Sequence, residues 1–104
     1  MAIQFFNNPK LRDNVKIELG DSSDLQIYHD GTNSFITNST GDLTISNTGD
    51  DLILKSADDF LLYVQGSELA IQAVGNAGVI LRHNNVVKFE TTSAGATVTG
   101  TLTA

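Results

Sequence analysis

The chain has 104 residues, no cysteine, one proline, and 12 acidic against 6 basic residues, for a formal net charge of -6. That length allows one domain, and a chain this small, folding alone, buries only roughly 60 to 65% of its unfolded surface. The lack of cysteine excludes disulfide staples and thiolate chemistry, and the acidic balance disfavours nucleic acid or anionic membrane as a partner.

The start, Met1-Ala2-Ile3-Gln4-Phe5-Phe6-Asn7-Asn8-Pro9, has no basic segment followed by a long apolar run, so it is not expected to act as a signal peptide. No stretch approaches the ~20 apolar residues of a membrane helix, and no membrane insertion is expected. Residues 1–14, with Pro9, Lys10 and Arg12, read as an N-terminal arm or junction; residues 15–104 read as a β-repeat shaft domain.

At Val15 a period-2 alternation begins, with Val15, Ile17 and Leu19 on one face and Lys16 and Glu18 on the other, the pattern of a half-buried strand. Apolar-x-apolar elements then recur with centres at Glu18, Gln26, Phe35 or Ile36, Thr44, Ile53, Leu61, Ala70, Ile80, Lys88 and Thr97. The steps of 8 to 10 residues are too regular for an ordinary globular domain and predict near-identical rungs. In Asp42-Leu43-Thr44-Ile45, Asp51-Leu52-Ile53-Leu54, Asp59-Phe60-Leu61-Leu62 and Glu68-Leu69-Ala70-Ile71, an acid at the corner precedes two apolar residues on one side of a strand. In Leu52-Ile53-Leu54 and Phe60-Leu61-Leu62-Tyr63-Val64 the outward positions are apolar as well, which predicts strands covered on both faces or touching another subunit. Gly-, Asn-, Asp- and Ser-rich corners separate the rungs and tolerate positive φ. No competing 3.6-residue apolar period occurs, so almost no helix is expected.

The fold class that follows is all-β, an elongated repetitive β-structure with ~9-residue rungs. Two architectures accept such a rung. A single-chain triangular β-helix would form fewer than four coils, a stub roughly 19 Å tall with open strand edges at both ends. An intertwined homotrimeric β-helix or β-prism would give a shaft of roughly 55 Å and bury outward apolar residues against partner chains. The homotrimer is favoured on edge protection and on the marginal core of a chain this small.

Four segments also carry a family resemblance: Asp13-Asn14-Val15-Lys16-Ile17, Asp24-Leu25-Gln26-Ile27-Tyr28-His29-Asp30-Gly31-Thr32-Asn33-Ser34-Phe35-Ile36, Thr40-Gly41-Asp42-Leu43-Thr44-Ile45 and Lys88-Phe89-Glu90-Thr91-Thr92-Ser93-Ala94-Gly95. From about Asp13 onward the chain resembles the repeat region of tail fibre proteins of tailed bacteriophages, particularly of marine phages. The resemblance implies a trimeric β-rich fibre in the extracellular virion, joined to adjoining fibre or virion proteins. It also implies a receptor-binding tip, and often a C-terminal trimerisation chaperone, beyond Gly100-Thr101-Leu102-Thr103-Ala104.

Few residues invite chemistry. His29 follows Leu25 and Ile27 in strand parity, and His83 follows Val79 and Leu81. In a trimer three copies of each imidazole could meet on the axis and hold a metal ion or an anion; the competing and stronger expectation is that each caps a corner by hydrogen bonding. Apart from that axial metal, no cofactor is expected. The doublets Asp50-Asp51 and Asp58-Asp59 could supply a glycosidase carboxylate pair, yet they fall on equivalent corners of the repeat, where an acid accepts backbone hydrogen bonds. No catalytic residue is assigned, and the chain is not expected to be an enzyme.

The expected function is therefore a structural segment of a phage tail fibre that supports host attachment. The alternative is a receptor- or glycan-binding module in its own right, contacting host-surface glycan or outer-membrane protein through exposed Tyr28, Tyr63, Asn33, Asn76, Asn84 and Asn85. A polysaccharide depolymerase is the distant alternative.

Overall fold

The structure, a computed structural model, describes residues 2–104 and is all-β: eight strands and no helix among the described residues. The chain divides into two compact units, Met1–Asp50 and Asp51–Ala104. In the first, β1 (Ile17–Leu19), β2 (Leu25–His29) and β3 (Ser34–Asn38) form a three-stranded sheet in the order β1-β2-β3. In the second, β4 (Phe60–Val64), β5 (Glu68–Ala73), β6 (Val79–His83), β7 (Val86–Thr92) and β8 (Gly95–Val98) form a five-stranded sheet in chain order.

Every pairing is antiparallel and joins consecutive strands, so each sheet is a meander in which one rung is one strand. A single-chain coil would instead stack its rungs in parallel. The reason for the reversal lies in the corners. Each hairpin connection contains or borders a residue with positive φ: Gly20 and Ser23, Gly31, Gln65 and Gly66, Asn76, Asn84 and Asn85, and Gly95. Two-residue connections of this left-handed kind turn a strand back beside itself with the twist that paired strands need, and Asn84-Asn85 between β6 and β7 is such a connection.

Two of the ten expected rungs differ. Residues 43–46 and 52–55, centred on Thr44 and Ile53, belong to no strand and make no backbone–backbone hydrogen bond among the described residues. Their flanking corners hold the chain by side chains instead. Asn38 Nδ2 donates to the Gly41 carbonyl at 3.0 Å, Asn47 Nδ2 to the Asp50 carbonyl at 3.1 Å, and Ser56 Oγ to the Asp59 carbonyl at 2.8 Å. No residue of 47–50 or 56–59 has positive φ. These two corners bend the chain without reversing it; the corner before residues 43–46 does not return the chain onto β3 either, although Gly41 there has φ 73°.

The arm is tied to the first sheet at its end, where the Asn14 amide donates to the His29 carbonyl at 2.7 Å. The first unit is closed by Asp24: its carbonyl accepts from the Ser39 amide at 2.9 Å and its Oδ1 from Thr40 Oγ1 at 2.9 Å.

Candidate functional site

The first sheet has two unlike faces, because residues opposite one another across a ladder share a face. Pairing of Ile17 with Ile27 and of Ile27 with Ile36, and of Leu19 with Leu25, gathers these five apolar side chains on one face. Four of them, Ile17, Leu19, Ile27 and Ile36, are exposed. His29 pairs with Ser34 on this face, and its Nδ1 shares a 2.9 Å hydrogen bond with Ser34 Oγ across the β2–β3 ladder.

The other face is polar with an aromatic centre. Tyr28 pairs with Phe35, and the two rings stack at 5.1 Å with 25° between their planes. Lys16 Nζ lies 4.6 Å from the Tyr28 ring centroid and donates to Gln26 Oε1 at 3.0 Å. Since β2 runs between β1 and β3, Lys16 and Phe35 reach Tyr28 from opposite sides. The Tyr28 ring is thereby held by both neighbours, and with Phe35 it also lines an open cavity bounded by Ile27, Ser34 and Ile36.

The second sheet repeats the division on a larger scale. The register places Leu62, Ile71, Leu81, Phe89 and Val98 in one unbroken row across all five strands, beside a second row of Phe60, Ala73, Val79, Thr91 and Ala96. In the first row Leu62, Ile71, Leu81 and Val98 are all exposed, Ile71 at 37% being the least so. The opposite face mixes Leu61, Gln72, Ile80, Glu90 and Thr97. There Arg82 Nη2 donates to Gln72 Oε1 at 3.0 Å, while Arg82 Nη1 is shielded from solvent with no hydrogen-bond partner.

No described residue is buried, and the chain exposes 9148 Å². A compact 11.1 kDa monomer would expose about 5,700 Å², and two independent globules of half that mass about 6,800 Å² in total. The excess over the larger figure is about 2,300 Å² per chain, the scale of an obligate subunit interface. The two apolar faces contribute to that excess, while the most exposed apolar side chains, Phe6 at 92%, Ile3 at 79% and Leu102 at 79%, lie outside the strands.

The remaining candidates serve the corners. Asp30 Oδ1 accepts from the Thr32 and Asn33 amides at 2.9 and 2.8 Å, which holds its carboxyl below the usual 3.8, Asn33 contributing most. Asp59 Oδ1 accepts from the Gly75 amide at 3.0 Å and Oδ2 from Gln72 Nε2 at 3.4 Å, so its carboxyl is lowered as well, chiefly by Gly75. The doublet Asp58-Asp59 thus supplies a brace between the corner before β4 and the one after β5. His83 is exposed at the end of β6, and His29 and His83 belong to different sheets. Asn33, Asn76, Asn84 and Asn85 are exposed at hairpin tips, and Tyr63 is exposed on the edge strand β4. Sequence reasoning missed the Lys16–Tyr28–Phe35 row, because it depends on register across three strands; the signal available was a Lys and two aromatics at equivalent places in successive rungs.

No protein-family model, curated protein or solved structure matches this chain.

Proposed function

We propose that this chain is a structural segment of a phage tail fibre, assembled as a homotrimer in the extracellular virion and supporting host attachment. The observation that carries the reading is the pair of sheets whose apolar faces are continuous and uncovered in a chain with no buried residue. Such faces stay soluble only when another surface covers them. Three copies of a one-sided sheet facing a common axis make a triangular β-prism, and antiparallel meanders suit that arrangement. The fibre-like segments of the sequence supply the biological setting. The net charge of -6 favours a soluble outer surface and disfavours nucleic acid as the covering partner.

Within this reading His29 and His83 each recur three times about the axis. His29 Nε2 is left for an axial metal ion while Nδ1 engages Ser34. Elemental analysis before and after chelation tests that point: about one metal ion per three chains supports it, and metal-free protein of unchanged stability removes it.

A receptor- or glycan-binding role of its own is favoured by one observation, the exposure of four asparagines at hairpin tips. Adsorption of labelled protein to candidate host cells separates the two roles. A shaft segment leaves cells unlabelled, whereas a binding module labels them and loses that labelling in the Asn33, Asn76, Asn84 and Asn85 to Ala variants.

A further inference from the structure

We infer that residues 43–46 and 52–55 are completed as β-strands by the backbone of another copy of this chain. The inference rests on the assembled reading above and names where the copies interlock.

Both runs have the composition of strands. Leu43 and Ile45 alternate with Thr44 and Ser46, and Leu52, Ile53 and Leu54 are apolar throughout. Both keep the spacing of the strands around them. The donors of the three side-chain corners, Asn38, Asn47 and Ser56, stand nine residues apart, and each donates to the carbonyl three residues on. Further amides are held at the same corners: Gly49 N donates to Asn47 Oδ1 at 3.0 Å, and Asp58 N to Ser56 Oγ at 3.4 Å. The corners are therefore built structures that repeat, which a random connection would not produce.

What the two runs lack is a ladder. Their backbone groups find no backbone partner in their own units, and their side chains are the most exposed apolar ones between the sheets' strands in sequence, with Ile45 at 64%, Ile53 at 68% and Leu54 at 68%. An apolar strand with open edges and no covering is the template on which another strand adds. Leu52-Ile53-Leu54, apolar on both sides, needs cover on both faces, which one neighbouring chain on each side of a threefold arrangement supplies.

The occupant is a second copy for two reasons. The excess surface of about 2,300 Å² per chain matches what an obligate homo-oligomer buries rather than what a transient encounter does. The repeat is also its own complement: rungs of equal length with equal corners present equal spacing of donors and acceptors, so copies can pair in register. Completion converts the two runs into rungs like the other eight.

The test combines solution mass with amide hydrogen exchange on the same unaltered protein. An oligomer in which the amides of 43–46 and 52–55 exchange at least about a hundredfold more slowly than those of 101–104 supports the inference. An oligomer in which both runs exchange as fast as 101–104 overturns it and leaves the assembly reading standing. A single chain in solution overturns both. Ile53→Pro, which deletes a ladder donor, provides the second readout. It is expected to lower the assembled fraction at least about tenfold at fixed concentration while the hairpin sheets keep their slow amides, and unchanged assembly counts against the inference.

Discussion

Residues 43–46 and 52–55 share length, spacing and composition with the eight strands, yet only the eight are strands within the chain. The difference teaches that apolar alternation sets where a strand can form, and the corner sets whether it finds a partner. At corners such as Gln65-Gly66 and Asn84-Asn85, left-handed residues accompany a reversal and the next rung pairs with the last, whereas Gly41, at φ 73°, does not bring residues 43–46 back onto β3. At 47–50 and 56–59 the backbone stays on the ordinary side of φ, side chains cap the bend, and the rungs on either side do not pair with each other across the corner. The first kind of corner makes sheets with a naked face; the second makes strands with naked edges. In the proposed assembly another chain covers both, for different reasons.

The strongest way to break this comparison is to poison a face. Ile71→Asp puts a charge inside the five-strand row, between Leu62 and Leu81, and in an assembled molecule each such uncompensated charge costs about 3 to 5 kcal/mol. Light scattering is expected to find the assembly lost; an intact, equally heat-stable oligomer would mean that this face is not the covered one.

Glycine substitutions sharpen the contrast between the two kinds of corner. A Cβ at Gly78 would collide with the Thr91 carbonyl oxygen, so Gly78→Ala should destabilise the second sheet by about 1 to 3 kcal/mol. At Gly49 the added methyl meets only Asn47 Oδ1 at 3.5 Å and φ is not positive, so Gly49→Ala should be neutral or stabilise by about 0.4 to 1 kcal/mol. Thermal denaturation of the two variants is the check, and equal losses would contradict the distinction. Asn85→Ala, at φ 66°, should cost about 1 kcal/mol or slightly more by the same measurement, because alanine is strained where asparagine is tolerated.

The smallest effect is that of acid. Asp30 and Asp59 have carboxyls lowered in the folded chain, so each contributes stability that is complete above the unfolded value of about 3.8 and fades as pH falls through the folded value. Denaturation midpoints should hold steady from neutral pH down to about 4 and decline below it. Asp59→Asn should flatten part of that decline in the second unit, and a decline of the same size in the variant would assign the sensitivity to other acids.

Much of this was legible in the sequence. Glu18, Gln26, Phe35 or Ile36, Leu61, Ala70, Ile80, Lys88 and Thr97, picked as rung centres by period alone, all fall inside strands. Thr44 and Ile53 do not, although their pattern is as good as the rest, because a strand is a property of a pair and the pattern describes one member. Strand direction was also hidden. It follows in part from left-handed backbone at Ser23 and Gln65, residue types that adopt such φ only when the surrounding turn imposes it. The bulges at Leu62/Tyr63 and Leu81/Arg82 shift register by one residue without any glycine or proline to announce them. For His29, parity foresaw its face, while its bond to Ser34 needed the register of β2 against β3.

Sedimentation equilibrium at micromolar concentration tests the central claim most directly, because the proposal covers both the naked faces and the naked edges with other copies. The account predicts a three-chain mass of about 33 kDa from the 11.1 kDa chain. A single species of 11.1 kDa across the concentration range would contradict it.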